Sequence, residues 1–359
     1  MNVRYVDAAD GSTYPVEHPL WRSPGGSHLN LTPGAGLRRA DIDASCRSLW
    51  RYAAAIRVER AGAVSMGEGW TPLVDAHWDG VRVAAKLEFT MPTGSFKDRG
   101  MTVMITYLKR HGIARVLEDS SGNAGASLAA YAAAAGIEAR ILVPETASYP
   151  KIVQMAATGA DVVTIPGTRQ DVADAAAAMS EEIFYASHNW QAFFAEGTKT
   201  LAYELWEQLG FRELLANGEI GTLPRVFGVQ AANCAPYFNA FAAGEERLVP
   251  TEIKPTVAEG IASSKPTRVR EVLRAVRDCG GAIVAVSEDE IGAALAKLAR
   301  QGLYVEPTSA AAAAGLTQLL ASGAITPQQS TVLVLTGSGL KAGERIGELL
   351  GLRSRRMPA

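Results

Sequence analysis

Cysteine is scarce in this sequence: Cys46, Cys234 and Cys279 are the three among 359 residues. Three scattered thiols give neither a disulfide framework nor the spacing of a metal site, and they suit the reducing environment of the cytoplasm. We therefore predict a cytoplasmic protein without a metal. No His-Asp-Ser set suggestive of a hydrolase stands out either.

A dominant sign of charge is also missing. The 35 basic and 37 acidic residues are well mixed and give a formal net charge of −2. That balance suggests neither a nucleic acid nor a membrane surface as a partner, so we expect a small-molecule substrate. Residues 1–7 lack the basic start and apolar run of a signal peptide, and no apolar run approaches membrane-spanning length.

Hydrophobic residues, by contrast, make up 48% of the chain, enough for a sizeable core in one large or two moderate domains. From Leu117 onward, short β-type runs alternate with helical patterns, as in the strands at 139–143 and 161–165 around a helix at 149–158. This alternation is typical of right-handed crossovers and a parallel sheet. The sequence thus predicts an α/β fold.

The stretch at 92–100, Pro-Thr-Gly-Ser-Phe-Lys-Asp-Arg-Gly, follows a predicted strand at 81–89 and opens a predicted helix. Ser95 is placed to cap this helix, and Asp98 completes the pattern of a capping box. Lys97 then falls in the first turn, where the helix dipole favours the neutral amine, although Asp98 partly offsets the field. A neutral amine can condense with an aldehyde. A solvent-facing lysine beside a cap is the simpler alternative.

A second loop, Ser-Ser-Gly-Asn-Ala-Gly at 120–125, lies between a predicted strand at 114–118 and a predicted helix at 126–135. Ligands bind at the carboxyl ends of strands in open α/β sheets, and free backbone N–H groups suit a carboxylate. A Gly-Asn turn without a ligand is the alternative. We expect the substrate carboxylate to bind at Ser120, Ser121, Gly122, Asn123 and Ala124.

Six motifs, in this order along the chain, resemble the fold-type-II enzymes that use pyridoxal phosphate, and most closely threonine synthase and its relatives. They are the segments at 67–73, 93–100, 120–125, 196–200, 306–309 and 335–341. The resemblance covers about residues 60 to 350. It implies two open, mostly parallel twisted sheets with helices on both faces, as in the tryptophan synthase β chain. It also implies pyridoxal 5′-phosphate as the cofactor, and we expect a homodimer.

Within that family fold we expect an N-terminal extension, a catalytic core and a short tail. Some relatives carry a cysteine-containing metal knuckle near the start of the chain. Cys46 is the one cysteine there, so we predict no zinc. The apolar spacing at 40–57 predicts a helix in the extension. The expected parts are the extension at 1–60, the core at 61–350 with a smaller subdomain at about 97–190 inserted in a larger one (61–96 plus 191–350), and the tail at 351–359.

The resemblance implies roles for single residues. Lys97 would form the Schiff base with the cofactor and then shuttle protons at the α and β carbons. Asn123 would hydrogen-bond the 3-oxygen of the ring, and Ser338 would contact the pyridine nitrogen, with Phe96 and Gly337 beside the cofactor. A hydroxyl can donate to a neutral nitrogen but cannot stabilise a protonated one as a carboxylate would. That suits elimination or replacement at the β or γ carbon better than transamination. The alternative for Ser338 is a serine in a glycine turn.

Weaker candidates remain. We predict that His188 is structural, and Glu259 resembles a segment that lies over the ring in relatives. A substrate phosphate could bind Arg99, Lys151, Lys199 or Arg268, but such residues are more often solvated charges.

One family feature is missing from the sequence. The glycine-rich loop that wraps the 5′-phosphate has no counterpart between Gly197 and Gly218. Either a segment is omitted between Gly210 and Phe211, or the protein lacks the loop. We favour the omission, because unpaired backbone in a central strand is costly.

The leading functional prediction is a lyase of the threonine synthase type, which converts O-phosphohomoserine and water to threonine and phosphate in amino-acid biosynthesis. The enzyme alternatives are a hydroxyamino-acid dehydratase and a β-replacement enzyme. A non-catalytic relative that keeps the fold is the alternative from another class. The sequence alone does not decide which amino acid and leaving group are used.

Overall fold

The structure, a computed structural model, describes residues 3–120, 122–209 and 224–352. It forms two compact units. Unit 1 comprises Met1–Thr71 and Met91–Glu219, and unit 2 comprises Pro72–Thr90 and Ile220–Ala359. The predicted division into extension, inserted subdomain and larger domain stays a prediction.

Strands and helices alternate through most of the described chain. The strands are β1 (Arg4–Asp7), β2 (Thr13–Pro15), β3 (Leu29–Leu31), β4 (Leu73–Trp78), β5 (Val81–Leu87), β6 (Arg115–Glu118), β7 (Glu138–Pro144), β8 (Asp161–Ile165), β9 (Phe184–Tyr185), β10 (Phe227–Ala231), β11 (Ala282–Val286) and β12 (Val332–Leu335). The α-helices are α1 (Lys97–Arg110), α2 (Asn123–Ala135), α3 (Tyr149–Ala157), α4 (Arg169–Met179), α5 (Ala192–Thr198), α6 (Thr200–Gln208), α7 (Pro236–Ala242), α8 (Val269–Asp278), α9 (Glu288–Arg300), α10 (Pro307–Ala321) and α11 (Gly343–Leu349).

Unit 1 is built on a parallel sheet of four strands in the order β8-β7-β6-β9. Its central strands are apolar and fully buried at Leu117, Ile141 and Leu142, as expected for parallel strands covered on both faces. Helix α1 is buried along nearly its whole length and packs against α2 and α5. The sheet therefore brings the loops after β6 and β9 to one edge, at the carboxyl ends of neighbouring strands.

The start of the chain differs from the expectation. Strands β1 to β3 form a small antiparallel sheet that the sequence did not indicate. The predicted helix at 40–57 is wrong: two 3₁₀ segments, Arg39–Asp41 and Leu49–Ala55, stand in its place. The physical reason is that Asp43 donates its backbone N–H to the carbonyl of Arg51 at 3.0 Å, a bond that no α-helix over this stretch contains.

Unit 2 contains two groups of described strands. Strand β5 pairs in parallel with β12 and antiparallel with β4, and β10 pairs in parallel with β11. Helix α10 packs on β10, β11 and β12, and its buried alanines let it approach the strands closely. The predicted strand at 81–89 ends at Leu87 and continues as a 3₁₀ turn, Glu88–Thr90.

Other boundaries shift only slightly, with one exception. The stretch before the undescribed residues at 210–223 forms two short helices, α5 and α6, which meet at Lys199. The predicted helix at 211–216, the junction of Gly210 and Phe211, Ser121 and the tail from residue 353 lie outside the described residues. Within the described ranges, no helix is long and apolar enough to cross a membrane.

Candidate active site

Lys97 is the first residue of α1, as the sequence predicts, but the predicted capping box is wrong. The N-cap residue is Phe96, and no side chain caps this end. The Asp98 carboxylate instead accepts from the backbone N–H of Thr93 at 2.8 Å and from its hydroxyl at 2.5 Å. The Ser95 hydroxyl is fully buried and has no hydrogen-bond partner among the residues that the structure describes.

Asp98 also joins the two predicted site motifs. Its carboxylate accepts from the Ser127 hydroxyl at 2.5 Å, and Ser127 lies one turn into α2, the helix that Asn123 begins. The structure therefore brings the first turns of α1 and α2 together. Gly125 is required here, since a Cβ at this position would lie 2.4 Å from the carbonyl oxygen of Ser120.

Ser120, Gly122 and Ala124, which the sequence also predicts to bind the carboxylate, lie at this end of α2. Gly122 is the N-cap residue, and no side chain of the described residues caps this helix. Its backbone N–H donates to the Ser120 hydroxyl at 3.3 Å, and Ala124 is buried. Backbone N–H groups at a helix start favour an anion, so this position suits a carboxylate.

Two aromatic rings flank the Lys97 side chain. The Nζ atom lies 4.9 Å from the ring centroid of Phe96 and 5.5 Å from that of Phe194 on α5. Phe194 reaches this position because residue 100 is glycine: a Cβ at Gly100 would lie 2.3 Å from a carbon of the Phe194 ring. Gly100, the last residue of the Lys97 motif, thus allows the Phe194 ring to lie close to the lysine side chain.

A buried polar cluster follows β6 and β9, and the sequence reasoning missed it. Asp119 accepts from the hydroxyls of Tyr185 at 2.7 Å and Ser187 at 3.1 Å, and from the Arg169 guanidinium at 2.6 Å. Burial, followed by the charge of Asp119, raises the pKa of the Tyr185 hydroxyl. The available signal was positional, because these residues follow two strands that pair in parallel.

His188 belongs to the same cluster. Its Nδ1 lies 3.0 Å from Oε1 of Glu118, and its backbone N–H donates to Oε2 at 3.2 Å. Burial raises the pKa of the Glu118 carboxyl well above its usual range, and the charge of Asp119 adds to the shift. Burial also lowers the pKa of His188, aided by the charges of Lys97 and Arg169. The spacing is that of an ion pair, yet both shifts favour the uncharged forms.

Two of the weaker candidates have roles within unit 1. Arg99 is fully buried and pairs with Glu204. Lys199 donates to the carbonyl oxygen of Ala55 at 2.8 Å and pairs with Glu196 at 2.5 Å. Neither the Arg99 nor the Lys199 side chain is therefore a solvated surface charge, which was the alternative interpretation from the sequence. Lys151 is buried in α3.

Ser338 lies in unit 2, in the loop after β12. The Ser309 hydroxyl of α10 accepts from the N–H of Gly337 at 2.7 Å, and the Gly337 carbonyl accepts from the N–H of Glu306 at 3.0 Å. The Ser338 oxygen accepts from the N–H of Leu340 at 3.3 Å, and the residue is 9% exposed. Because that bond uses a lone pair, the hydroxyl hydrogen can still be donated.

These features fit a carbonyl cofactor with an anionic group. A lysine stands at a helix start near two aromatic rings, and the N-terminus of a second helix is joined to it. The Ser95 hydroxyl is buried and has no partner in the described ranges. No group of three or more His, Cys, Asp or Glu side chains in the described part of the chain is arranged to hold a metal ion. The fold and the site together define the class of protein: an α/β enzyme with a nucleophilic lysine at its site.

Comparison with known proteins names the family. The family described as "Pyridoxal-phosphate dependent enzyme" matches residues 64–337. The chain belongs to this family of enzymes, and pyridoxal phosphate is its cofactor. It is 35% identical to threonine synthase of Methanosarcina acetivorans, with 84% of this chain and 82% of that protein covered. It is 34% identical to threonine synthase of Methanocaldococcus jannaschii, with 92% and 91% covered.

Solved structures confirm the predicted fold class. A fungal L-serine ammonia-lyase from Rhizomucor miehei matches with a TM-score of 0.66 at 21% identity, covering 78% of this chain and 96% of that one. Threonine deaminase isoform 2 from Solanum lycopersicum matches with a TM-score of 0.65 at 21% identity, covering 79% and 84%. At this identity the likeness shows the fold, which is that of the fold-type-II enzymes.

Proposed function

We propose that the protein is a lyase of the threonine synthase type, which converts O-phosphohomoserine and water to threonine and phosphate. The observation that carries the proposal is identity of about a third to threonine synthases over most of both chains. The site supports it, since the chain keeps a lysine at the start of α1 and a helix N-terminus beside it.

Lys97 would hold the cofactor through a covalent bond from its Nζ atom, and Asn123, Phe96, Gly337 and Ser338 would contact the cofactor. When bound, pyridoxal phosphate withdraws electrons from the α carbon of an amino acid. Lys97 would take and return protons at the substrate's carbon atoms. The aromatic rings of Phe96 and Phe194 lie 4.9 Å and 5.5 Å from Nζ and would restrict where the lysine side chain can reach.

The start of α2 would bind the substrate's α-carboxylate through Ser120, Ser121, Gly122, Asn123 and Ala124. The helix start carries partial positive charge and free N–H groups, both of which favour an anion. Gly125 allows the loop to fold back tightly on α2. A serine at 338 would leave the pyridine nitrogen unprotonated, which suits elimination and replacement better than transamination.

Phosphate release tests the proposal. Purified protein with pyridoxal phosphate should release inorganic phosphate from O-phosphohomoserine and form threonine in equal amounts, and Lys97→Ala should abolish both. Conversion of serine or threonine to a keto acid, without phosphate release from O-phosphohomoserine, would instead establish the dehydratase alternative. Incorporation of an added nucleophile at the β carbon would establish a β-replacement enzyme.

We also infer that the glycine-rich phosphate loop is missing from the sequence and present in the natural protein. The alignment to the Methanocaldococcus enzyme runs over 373 positions, more than the 359 residues of this chain, so that relative has residues without a counterpart here. An intact mass of the natural protein greater than that of these residues would support the inference. An equal mass would leave helix N-termini to hold the phosphate.

The expectations of a homodimer, a cytoplasmic location and the predicted domain division are part of the same proposal. Three free cysteines agree with a reducing compartment. Sedimentation of the purified protein would test the dimer directly, with a monomer as the contrary result.

A further inference from the structure

Glu118 and His188 form a buried pair at the carboxyl ends of two neighbouring strands. Glu118 ends β6, and His188 follows β9, which pairs in parallel with β6. Two contacts hold the imidazole against the carboxyl group, at 3.0 Å from Nδ1 and 3.2 Å from the backbone nitrogen. The His188 side chain is 13% exposed, and Nε2 makes no hydrogen bond in the part of the chain that the structure describes.

The pair and the lysine both lie near one aromatic ring, that of Phe194. The His188 ring meets Phe194 edge-on, with 5.6 Å between centroids. The Lys97 Nζ lies 5.5 Å from the centroid of that ring. The two groups are close enough for the charge of Lys97 to lower the pKa of His188 and to oppose the raised pKa of Glu118. The pair therefore belongs to the electrostatic surroundings of Lys97.

Charged and titratable groups face the pair from each neighbouring element: Lys97 of α1, Asp119 after β6, Arg169 of α4 and Tyr185 of β9. Burial and the charges of Lys97 and Arg169 lower the pKa of His188 and so favour a neutral imidazole. Burial and Asp119 favour a protonated Glu118. The protonated pair then carries one proton on the Glu118 carboxyl, shared with Nδ1, and one on Nε2.

We propose that the Glu118–His188 pair is a second proton donor and acceptor of the Lys97 site, acting through Nε2 on oxygen atoms of the substrate and of water. This inference rests on the proposed function, in which Lys97 serves the carbon atoms. It gives a role to a histidine that the sequence suggested was structural.

Over one turnover the Glu118–His188 pair loses one proton and regains one. The bond between carbon and phosphate oxygen breaks, its electron pair stays with the oxygen, and Nε2 gives that oxygen a proton. The Glu118 proton moves to Nδ1 in the same step, which leaves a carboxylate beside a neutral imidazole. When water adds to the β carbon, Nε2 takes a proton from the water and the proton on Nδ1 returns to Glu118. The pair ends as it began.

Kinetics of phosphate release provide the first test. His188→Gln, with pyridoxal phosphate bound, should lower kcat by about 10²- to 10⁴-fold, the usual contribution of a general acid–base group, with the cofactor's absorbance unchanged. His77→Gln, at an exposed histidine of β4, is the matched control and should keep the wild-type rate. Added imidazole should restore part of the activity of His188→Ala. A kcat for His188→Gln within twofold of wild type overturns the proposal.

An NMR titration of the His188 imidazole gives a readout that needs no turnover. The pKa should lie below the ordinary value of about 6.5 and should rise in Lys97→Met, which removes the lysine charge. An ordinary pKa that Lys97→Met does not change overturns the pair's role. If the wild-type protein releases no phosphate from O-phosphohomoserine, the proposed function fails, and this titration alone decides whether the pair responds to Lys97.

Discussion

Arg99 and Glu204 form a bidentate ion pair, and both side chains are fully buried. The two terminal guanidinium nitrogens, Nη1 and Nη2, each lie 2.9 Å from a Glu204 carboxylate oxygen. Glu204 also accepts from the backbone N–H groups of Trp70 and Thr71, at 2.7 and 2.8 Å. Trp70 has a φ of +50°, a conformation that non-glycine residues rarely adopt. The pair therefore ties the helix of Lys97 to a strained segment of the Gly-Glu-Gly-Trp-Thr motif.

Glu204→Ala should lower the free energy of unfolding by about 3–5 kcal/mol, because it leaves the Arg99 charge buried without its partner. Urea unfolding of the full chain measures the change. Glu348→Ala is the matched control: it breaks the exposed pair of Arg345 and Glu348 and should cost less than about 1 kcal/mol. Equal losses in the two variants would contradict the assigned role of the buried pair.

Gly100→Ala should destabilise the protein by about 1–3 kcal/mol, because the new methyl group would overlap the Phe194 ring. The displaced ring would also change the surroundings of the Lys97 Nζ. Gly292→Ala in α9 is the control, since its Cβ would meet nothing within 4 Å, and it should stabilise by about 0.5–1 kcal/mol. Thermal unfolding distinguishes the two, and a neutral Gly100→Ala would refute the close approach.

Glu118→Gln should change how stability depends on pH. Burial raises the folded-state pKa of Glu118 above the ordinary 4.5, so between these values the folded wild type binds more protons than the unfolded chain. The stability that the raised pKa of Glu118 contributes to the wild type is therefore lost as the pH rises from about 4.5 through the folded pKa. Glutamine does not titrate. The unfolding free energy of the variant, relative to wild type, should rise with pH across this window, and a pH-independent difference would count against a raised pKa.

Ser338→Asp should retain the fold and alter the reaction. Aspartate can still accept the Leu340 N–H that Ser338 accepts at 3.3 Å, but its carboxylate would favour a protonated pyridine nitrogen. We expect slower phosphate release and more transamination. Product analysis with Ser338→Thr as the control measures both, and an unchanged rate and product distribution would argue against the contact.

The sequence was informative wherever a pattern is local. Strand β8 has the predicted bounds, and helix α2 ends at the predicted residue, Ala135. The family, the cofactor and the fold class were predicted from six short motifs and are confirmed. Lys97 was correctly placed at the start of a helix, because the glycine turn and the apolar spacing both lie within a few residues of it.

The errors arise where distant residues decide the structure. Asp98 was expected to contact Ser95, yet it turns to Thr93 and Ser127, and Ser127 is 29 positions away. Similarly, the contact between Asp43 and Arg51 replaces a helix in the N-terminal segment. The polar cluster around Asp119 draws on β6, α4 and β9. Sequence periodicity has no information on which strands become neighbours, so His188 could not be linked to Glu118 in advance.

Borohydride reduction of the protein with its bound cofactor tests the central claim most directly. Reduction fixes the bond between the lysine and the cofactor, and peptide mapping then identifies the modified residue. The account predicts the pyridoxyl group on Lys97 in the wild-type protein and no labelled peptide in Lys97→Ala. A label on Lys151, Lys199 or any other lysine would contradict the account.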